Sequence, residues 1–163
     1  MTVTFIAHSA FLVEWDKFYT LFDYTWEPDY TAPLPEIGPE KPLLVFASHS
    51  HEDHFDPKIF SLLERYPSAR FFVSRDTRLT ERRRKWLNIS DEAFARTTVL
   101  RPDSILLTEA AGEELSVRAI KSTDIGNAYL LRAEGKMVYH GGDLNWWHWE
   151  SEGQSYCSDM AAH

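Results

Sequence analysis

Apolar and polar positions along the chain fall first into short, closely spaced runs. Val3–Ile6, Phe11–Trp15 and Phe18–Phe22 are rich in aromatic and β-branched residues and predict three strands. Asp16-Lys17, between the second and third, predicts a two-residue hairpin turn. Pro28, Pro33, Pro35, Pro39 and Pro42, together with Gly38, then exclude a helix. That stretch reads equally as a surface crossing or as a loop over an active site. Leu43–Ala47 is a continuous apolar run of the kind a strand buried on both faces requires. Asp56-Pro57 predicts a helix start, with Asp as N-cap and Pro at the first helical position. Ile59, Phe60, Leu62, Leu63 and Tyr66 supply its apolar face and Pro67 ends it. Arg70–Ser74 predicts the next strand, completing a β-α-β unit, and helices are expected over Thr77–Leu87 and Ser90–Phe94. The remainder reads as strands over Thr97–Leu100, Ile105–Thr108, Leu115–Lys121, Ala128–Arg132 and Met137–Tyr139, with a hairpin turn at Glu134-Gly135. This order predicts a mixed α+β layered fold, one domain over residues 1–163.

Composition narrows the class. Ten Phe, seven Tyr and six Trp supply bulk for a real core and argue against disorder. The formal net charge of −8 disfavours broad contact with phosphate backbones. Arg82-Arg83-Arg84-Lys85 is too short a basic run to reverse this, and reads as a solvated helix face. The first residues alternate like a strand and do not resemble a signal peptide. No apolar run approaches the roughly 20 residues that span a bilayer. A single cysteine, Cys157, cannot form an internal disulfide, so a reducing cytoplasm is the expected location.

The chemistry concentrates at His49-x-His51-x-Asp53-His54, directly after the buried run. His49 and His51 are two residues apart, so in extended chain they project to one side. The turn into the following helix lets Asp53 and His54 face the same point. Imidazole and carboxylate suit zinc, iron or manganese, and the lack of cysteine disfavours a closed structural zinc site.

His49-Ser50-His51-Glu52-Asp53-His54 resembles the signature of the metallo-β-lactamase-fold hydrolase superfamily. His8-Ser9-Ala10-Phe11-Leu12-Val13-Glu14 is similar to the opening hairpin of its lactonase-like branch. Leu21-Phe22-Asp23 is similar to the strand that ends near the metal, and Tyr139-His140-Gly141-Gly142-Asp143-Leu144-Asn145 to the later motif with a bridging aspartate. The order matches from residue 3 to about 146. The resemblance implies an αββα sandwich in which His49 and His51 hold one metal, Asp53 and His54 a second, and Asp143 bridges them. One or two ions, zinc first with manganese or iron as alternatives, would lower the pKa of a shared water. That water would attack a small-molecule ester, lactone or phosphoester, with Asp53 also orienting it or accepting its proton. Asp23 becomes a candidate partner for a ligand imidazole, and His8 a residue at the site mouth.

Two departures from the pattern bear on function. The superfamily's third histidine on the first metal has no counterpart in Lys121-Ser122-Thr123-Asp124-Ile125-Gly126; Asp124 is either its substitute or a turn residue. The chain also ends at His163, where relatives continue, so an incomplete, C-terminally truncated sandwich is expected, with self-association through its open face. His140, His148 and His163 are candidate replacement ligands, His140 more as a packed residue behind the site. The expected function is therefore a metal-dependent hydrolase. The alternatives are a metal-binding domain without turnover and, more weakly, a nuclease.

Overall fold

The computed structural model describes residues 1–26 and 33–144. Among these residues, ten strands form two sheets. The first sheet runs in spatial order β1 (Thr2–Ala7), β2 (Ala10–Glu14), β3 (Tyr19–Phe22), β4 (Leu43–Ala47), β5 (Arg70–Ser74) and β6 (Thr97–Leu100). β1, β2 and β3 are antiparallel, whereas β3 to β6 pair in parallel. The second sheet, in order β10 (Lys136–His140), β9 (Asn127–Ala133), β8 (Glu113–Lys121) and β7 (Ser104–Ala110), is antiparallel throughout.

Strand alternation explains the layers. Along β4, Leu43, Val45 and Ala47 join one buried cluster while Leu44 and Phe46 join another. β5 divides likewise, with Phe71 and Val73 on one face and Phe72 on the other. A strand with partners on both faces must be apolar at every position, and all five β4 residues are buried. The first cluster packs the sheet against Ile59, Phe60, Tyr66, Leu79 and Ala93 of the helical segments. The second packs it against Leu115, Val117, Tyr129 and Leu131 of the second sheet. The described residues thus form three layers, helices on sheet on sheet. Ile105, Leu107, Met137 and Tyr139 are exposed on the outer face of the second sheet. The expected metallo-β-lactamase-like α+β fold is present, and its second helical layer is not found among the described residues.

Two helices differ from expectation. The segment after Asp56 opens as a 3₁₀ turn over Pro57–Ser61 before a short α1 (Leu62–Arg65); Asp56 Oδ1 accepts from the Lys58 amide at 2.9 Å, as the cap reading requires. The helix expected over Thr77–Leu87 is interrupted. A 3₁₀ turn occupies Arg75–Thr77, Arg78 is left-handed at φ 50°, and α2 runs only over Glu81–Trp86. Leu79 is drawn into the core, and Thr80 then caps α2 by accepting from the Arg83 amide at 3.2 Å. α3 (Asp91–Ala95) begins as expected, capped by Ser90.

The sheets are tied polarly as well. Both oxygens of Glu134 accept from the Asp16 and Lys17 amides at 2.9 Å, so the tip of the β9–β10 hairpin holds the tip of β2–β3. The Arg70 guanidinium donates across to Thr108 and the Glu109 carbonyl. No described helix is long and apolar enough to cross a membrane.

Phe46 stacks between Phe22 and Phe72, at 5.2 and 4.8 Å between ring centroids, and touches Tyr129 of the other sheet. Phe46→Ala is expected to lower unfolding free energy by about 3–5 kcal/mol in urea titrations, because a filled seam between two sheets cannot collapse onto the void.

Candidate metal centre

The parallel strands β3 and β4 end side by side, and ligands of such sheets bind beyond the carboxyl ends of the strands. Asp23 follows β3, left-handed at φ 44° and fully buried. Its Oδ1 accepts from the Ser48 amide at 2.7 Å. Its Oδ2 accepts from the Ser48 hydroxyl at 2.6 Å, and lies 2.7 Å from His54 Nδ1 and 2.8 Å from His140 Nε2. Burial alone would raise the carboxyl pKa, but His140 and then His54 hold it far below the usual range.

These bonds dictate the tautomers of His54 and His49. His54 donates Nδ1–H to Asp23, so Nε2 points away from the core. Ser48 gives its proton to Asp23 and is left to accept from His49 Nδ1–H at 2.9 Å, which turns His49 Nε2 outward too. Burial and then His54 depress the His49 pKa against the pull of Asp143 and Asp23, keeping this imidazole neutral. Burial works the same way on His54, but the hydrogen bond and charge of Asp23, with Asp143 and Asp53, raise its pKa overall. A positive charge is therefore favoured at His54 Nε2.

Two groups of potential ligand atoms meet here. His49, His51, Asp124 and Asp143 form one; His8, Asp53 and His54 form the other, each within a span of 4.8 Å. In the first, His49 Nε2 lies 3.0 Å from His51 Nδ1 and 3.4 Å from Asp143 Oδ2, and His51 Nδ1 lies 3.9 Å from Asp124 Oδ2. Ligands about 2.0–2.1 Å from a tetrahedral ion are separated by roughly 3.3 Å, so these spacings suit one cation. In the second, His8 Nε2 lies 3.0 Å and His54 Nε2 3.7 Å from Asp53 Oδ2. Asp143 faces both groups, Oδ2 toward His49 and Oδ1 3.2 Å from His54 Nε2. His54 Nε2 is fully buried with no hydrogen-bond partner among the described residues. A buried nitrogen without a hydrogen bond, facing two carboxylates, fits a divalent cation.

The second sheet delivers Asp124 and Asp143 to this point. Asn127 donates its amide to the Ser48 carbonyl at 2.9 Å, clamping the 121–127 loop onto the end of β4. Gly126 has φ +77°, and a Cβ there would lie 2.3 Å from the Ser48 carbonyl oxygen and 2.5 Å from His49 Cβ. Gly142 approaches Ser48 almost as closely. Only glycine permits these approaches.

The residues singled out in the sequence are thus brought together, with some differences in placement. His140 belongs to neither ligand group; it bonds Asp23 and stacks on Phe22 at 4.8 Å. Asp124 points into the first group, while its backbone amide donates to the Ser122 hydroxyl oxygen at 3.4 Å. His8, placed at the mouth by resemblance, lies among the ligand atoms of the second group. His148 and His163 lie outside the described residues. Ser48, which connects Asp23 to His49, carried no signal in the sequence beyond its neighbours.

The sequence matches the family model of the β-lactamase superfamily domain over residues 2–155, so the chain belongs to that superfamily. Among solved structures it is similar to Igni18, a metallo hydrolase from the hyperthermophilic archaeon Ignicoccus hospitalis KIN4/I. That match has TM-score 0.51 and 19% identity, covering 86% of this chain and 59% of Igni18. A "possible metal-dependent hydrolase" from Veillonella parvula DSM 2008 gives TM-score 0.52 at 15% identity, covering 98% of this chain and 66% of that one. A mutant of the CmlA β-hydroxylase gives 0.56 at 12%, covering 84% of this chain and 29% of that one. At such identities the likeness is one of fold, and this chain spans less than two thirds of each structure. No curated protein matches the sequence.

Asp23→Asn tests the arrangement behind the ligands. The carboxyl pKa is lower folded than unfolded, so its ionisation stabilises the fold above the unfolded value of about 3.9, and that contribution is lost as pH falls. The wild-type urea midpoint should drop more steeply between about pH 5 and 3 than that of Asp23→Asn. Zinc affinity of the variant, read by competition with a chromogenic chelator, should fall about 10–100-fold.

Proposed function

We propose that the chain is a metal-dependent hydrolase acting on a small-molecule ester, lactone or phosphoester. The observation that carries this reading is Asp143, whose two carboxylate oxygens face two separate groups of ligand atoms. His49, His51, Asp124 and Asp143 would hold one ion; His8, Asp53 and His54, with the second oxygen of Asp143, would hold the other. Divalent ions supply Lewis acidity and make water acidic enough to be deprotonated near neutral pH.

The chain's own residues do the rest. Asp23 keeps the His54 proton on Nδ1, and Ser48 keeps the His49 proton on Nδ1, so both Nε2 lone pairs face the centre. Asp53 is half exposed at the rim and can accept a proton from the attacking water and return it to a leaving group. His8 Nε2, 3.0 Å from Asp53 Oδ2, lies on the same side of the centre as that carboxylate. The fold does not select hydrolysis by itself, since the CmlA β-hydroxylase resembles it too. What favours hydrolysis is the accessible Asp53 carboxylate at the centre, a group that can take a proton from water. The accessible location proposed for the chain is the cytoplasm, and its partner a small molecule rather than nucleic acid.

A second reading, metal binding without turnover, draws on Asp124, a carboxylate in the first ligand group where the resemblance implies a histidine. Elemental analysis and activity separate the two. The hydrolase reading predicts about two ions per chain and cleavage of aryl ester or phosphoester substrates that a chelator abolishes and zinc or manganese restores. His51→Ala should remove nearly all of that activity, whereas folding, read by circular dichroism, should persist because His51 is half exposed. Cleavage indifferent to chelator or to this substitution would overturn the proposal, and two tightly held ions without turnover would establish the second reading.

A further inference from the structure

Beside the metal centre lies a cleft of about 660 Å³ whose wall includes Arg75, Arg78 and Arg83. Ser50, between the ligands His49 and His51, and Gly126, two residues beyond Asp124, complete the side it shares with the centre. Three guanidinium groups here are unexpected in a chain of net charge −8. Like Arg65 and Arg82, and unlike two other arginines of the helical layer, they have no acidic partner among the described residues. Arg84 pairs with Glu81 and Asp91, and Arg96 with Glu92, whereas Arg75, Arg78 and Arg83 form no ion pair among the described residues. The acidic residue in the wall is Asp76, whose Oδ2 accepts from the Ser50 amide at 2.7 Å.

Two further observations mark the cleft as built. Arg83 Nε, the Ser74 hydroxyl and Asp76 Oδ1, all in residues of this wall, are buried without a hydrogen-bond partner among the described residues. Donors left unpaired in the interior are costly unless something else takes their bonds. Arg78 is held left-handed at φ 50°, a conformation unfavourable for a side chain with a Cβ, in a turn closed by its amide to the Arg75 carbonyl at 3.0 Å. This turn is what breaks the expected helix and sends Arg75 and Arg78 to the same wall as Arg83.

We infer that this cleft is a subsite for a phosphate group, so that the substrate of the metal centre is a phosphorylated small molecule. Three guanidinium groups against one carboxylate leave the wall with two positive charges, which match a phosphate dianion. One arginine fork would suffice for a carboxylate, whereas three can surround the oxygens of a phosphate. Through Ser50 and Gly126 the bound group would sit alongside the ligand loops, orienting the rest of the molecule toward them. The role as a substrate subsite rests on the hydrolase reading; the binding of phosphate by the arginines does not.

The test is calorimetric titration of the chelator-treated chain with inorganic phosphate, and with acetate as the comparison anion. Phosphate should bind and acetate should not. Arg78→Gly suits the left-handed turn and preserves the fold; Arg83→Gln keeps helix α2. Each should weaken phosphate binding about tenfold or more, the scale of a lost charge-assisted hydrogen bond. Arg82→Gln, outside the cleft, should leave it unchanged. No phosphate binding, equal binding of acetate, or affinity unaltered in folded Arg78→Gly and Arg83→Gln would each overturn the subsite. Zinc titration of the same samples separates the two readings. Zinc bound with no arginine-dependent phosphate site defeats this inference alone, and phosphate bound without zinc defeats the hydrolase reading alone.

Discussion

A carboxylate buried without solvent is the constraint on which the rest of the structure depends. Asp23 sits at the end of β3 with no water to solvate it, and every lone pair must find a proton from the protein. It finds them in the Ser48 amide and hydroxyl, His54 and His140. Those bonds join the ends of β3, β4 and β10, and they set the direction of the ring nitrogens the solvent side can use. Removing this anion would leave two imidazoles and a hydroxyl buried without their acceptor, so structural and chemical roles meet in one side chain.

The two sheets are equally interdependent. His49, His51 and His54 follow the end of β4 and His8 follows β1 in one sheet, while Asp124 and Asp143 come from loops of the other. Their meeting needs backbone contact at Gly126 and Gly142, where a single methyl group would push the loops away from Ser48 and His49. The packed aromatic seam of Phe22, Phe46, Phe72 and Tyr129 lies directly beneath and resists relative sliding of the sheets. Precision at the centre therefore derives from a core that cannot yield rather than from the ligands themselves.

Charge is distributed with the same economy. Carboxylates gather around the unpaired His54 nitrogen, where a cation is favoured, and three arginines without acidic partners gather in the adjoining cleft. Opposite fields side by side suit a molecule that carries an anionic group next to the bond presented to a metal.

Much of this was legible from residue order alone. The strands were readable because burial on one or two faces leaves a period-two or continuous apolar pattern, and β4 shows the second in pure form. The cluster from His49 to His54 was readable because its members are neighbours in sequence, and local spacing constrains where side chains can point. What tertiary structure alone decided are the relations between distant segments. Asp124 remained open between turn and ligand because its partner His51 lies 73 residues away in sequence. Ser48 had no role of its own in the sequence pattern and Arg78 read as part of a helix, whereas a buried neighbour and a left-handed turn give them other roles. Hydrophobic pattern reports only whether a residue faces inward; which groups meet there is settled by the packing of one sheet on another, information that no single segment contains.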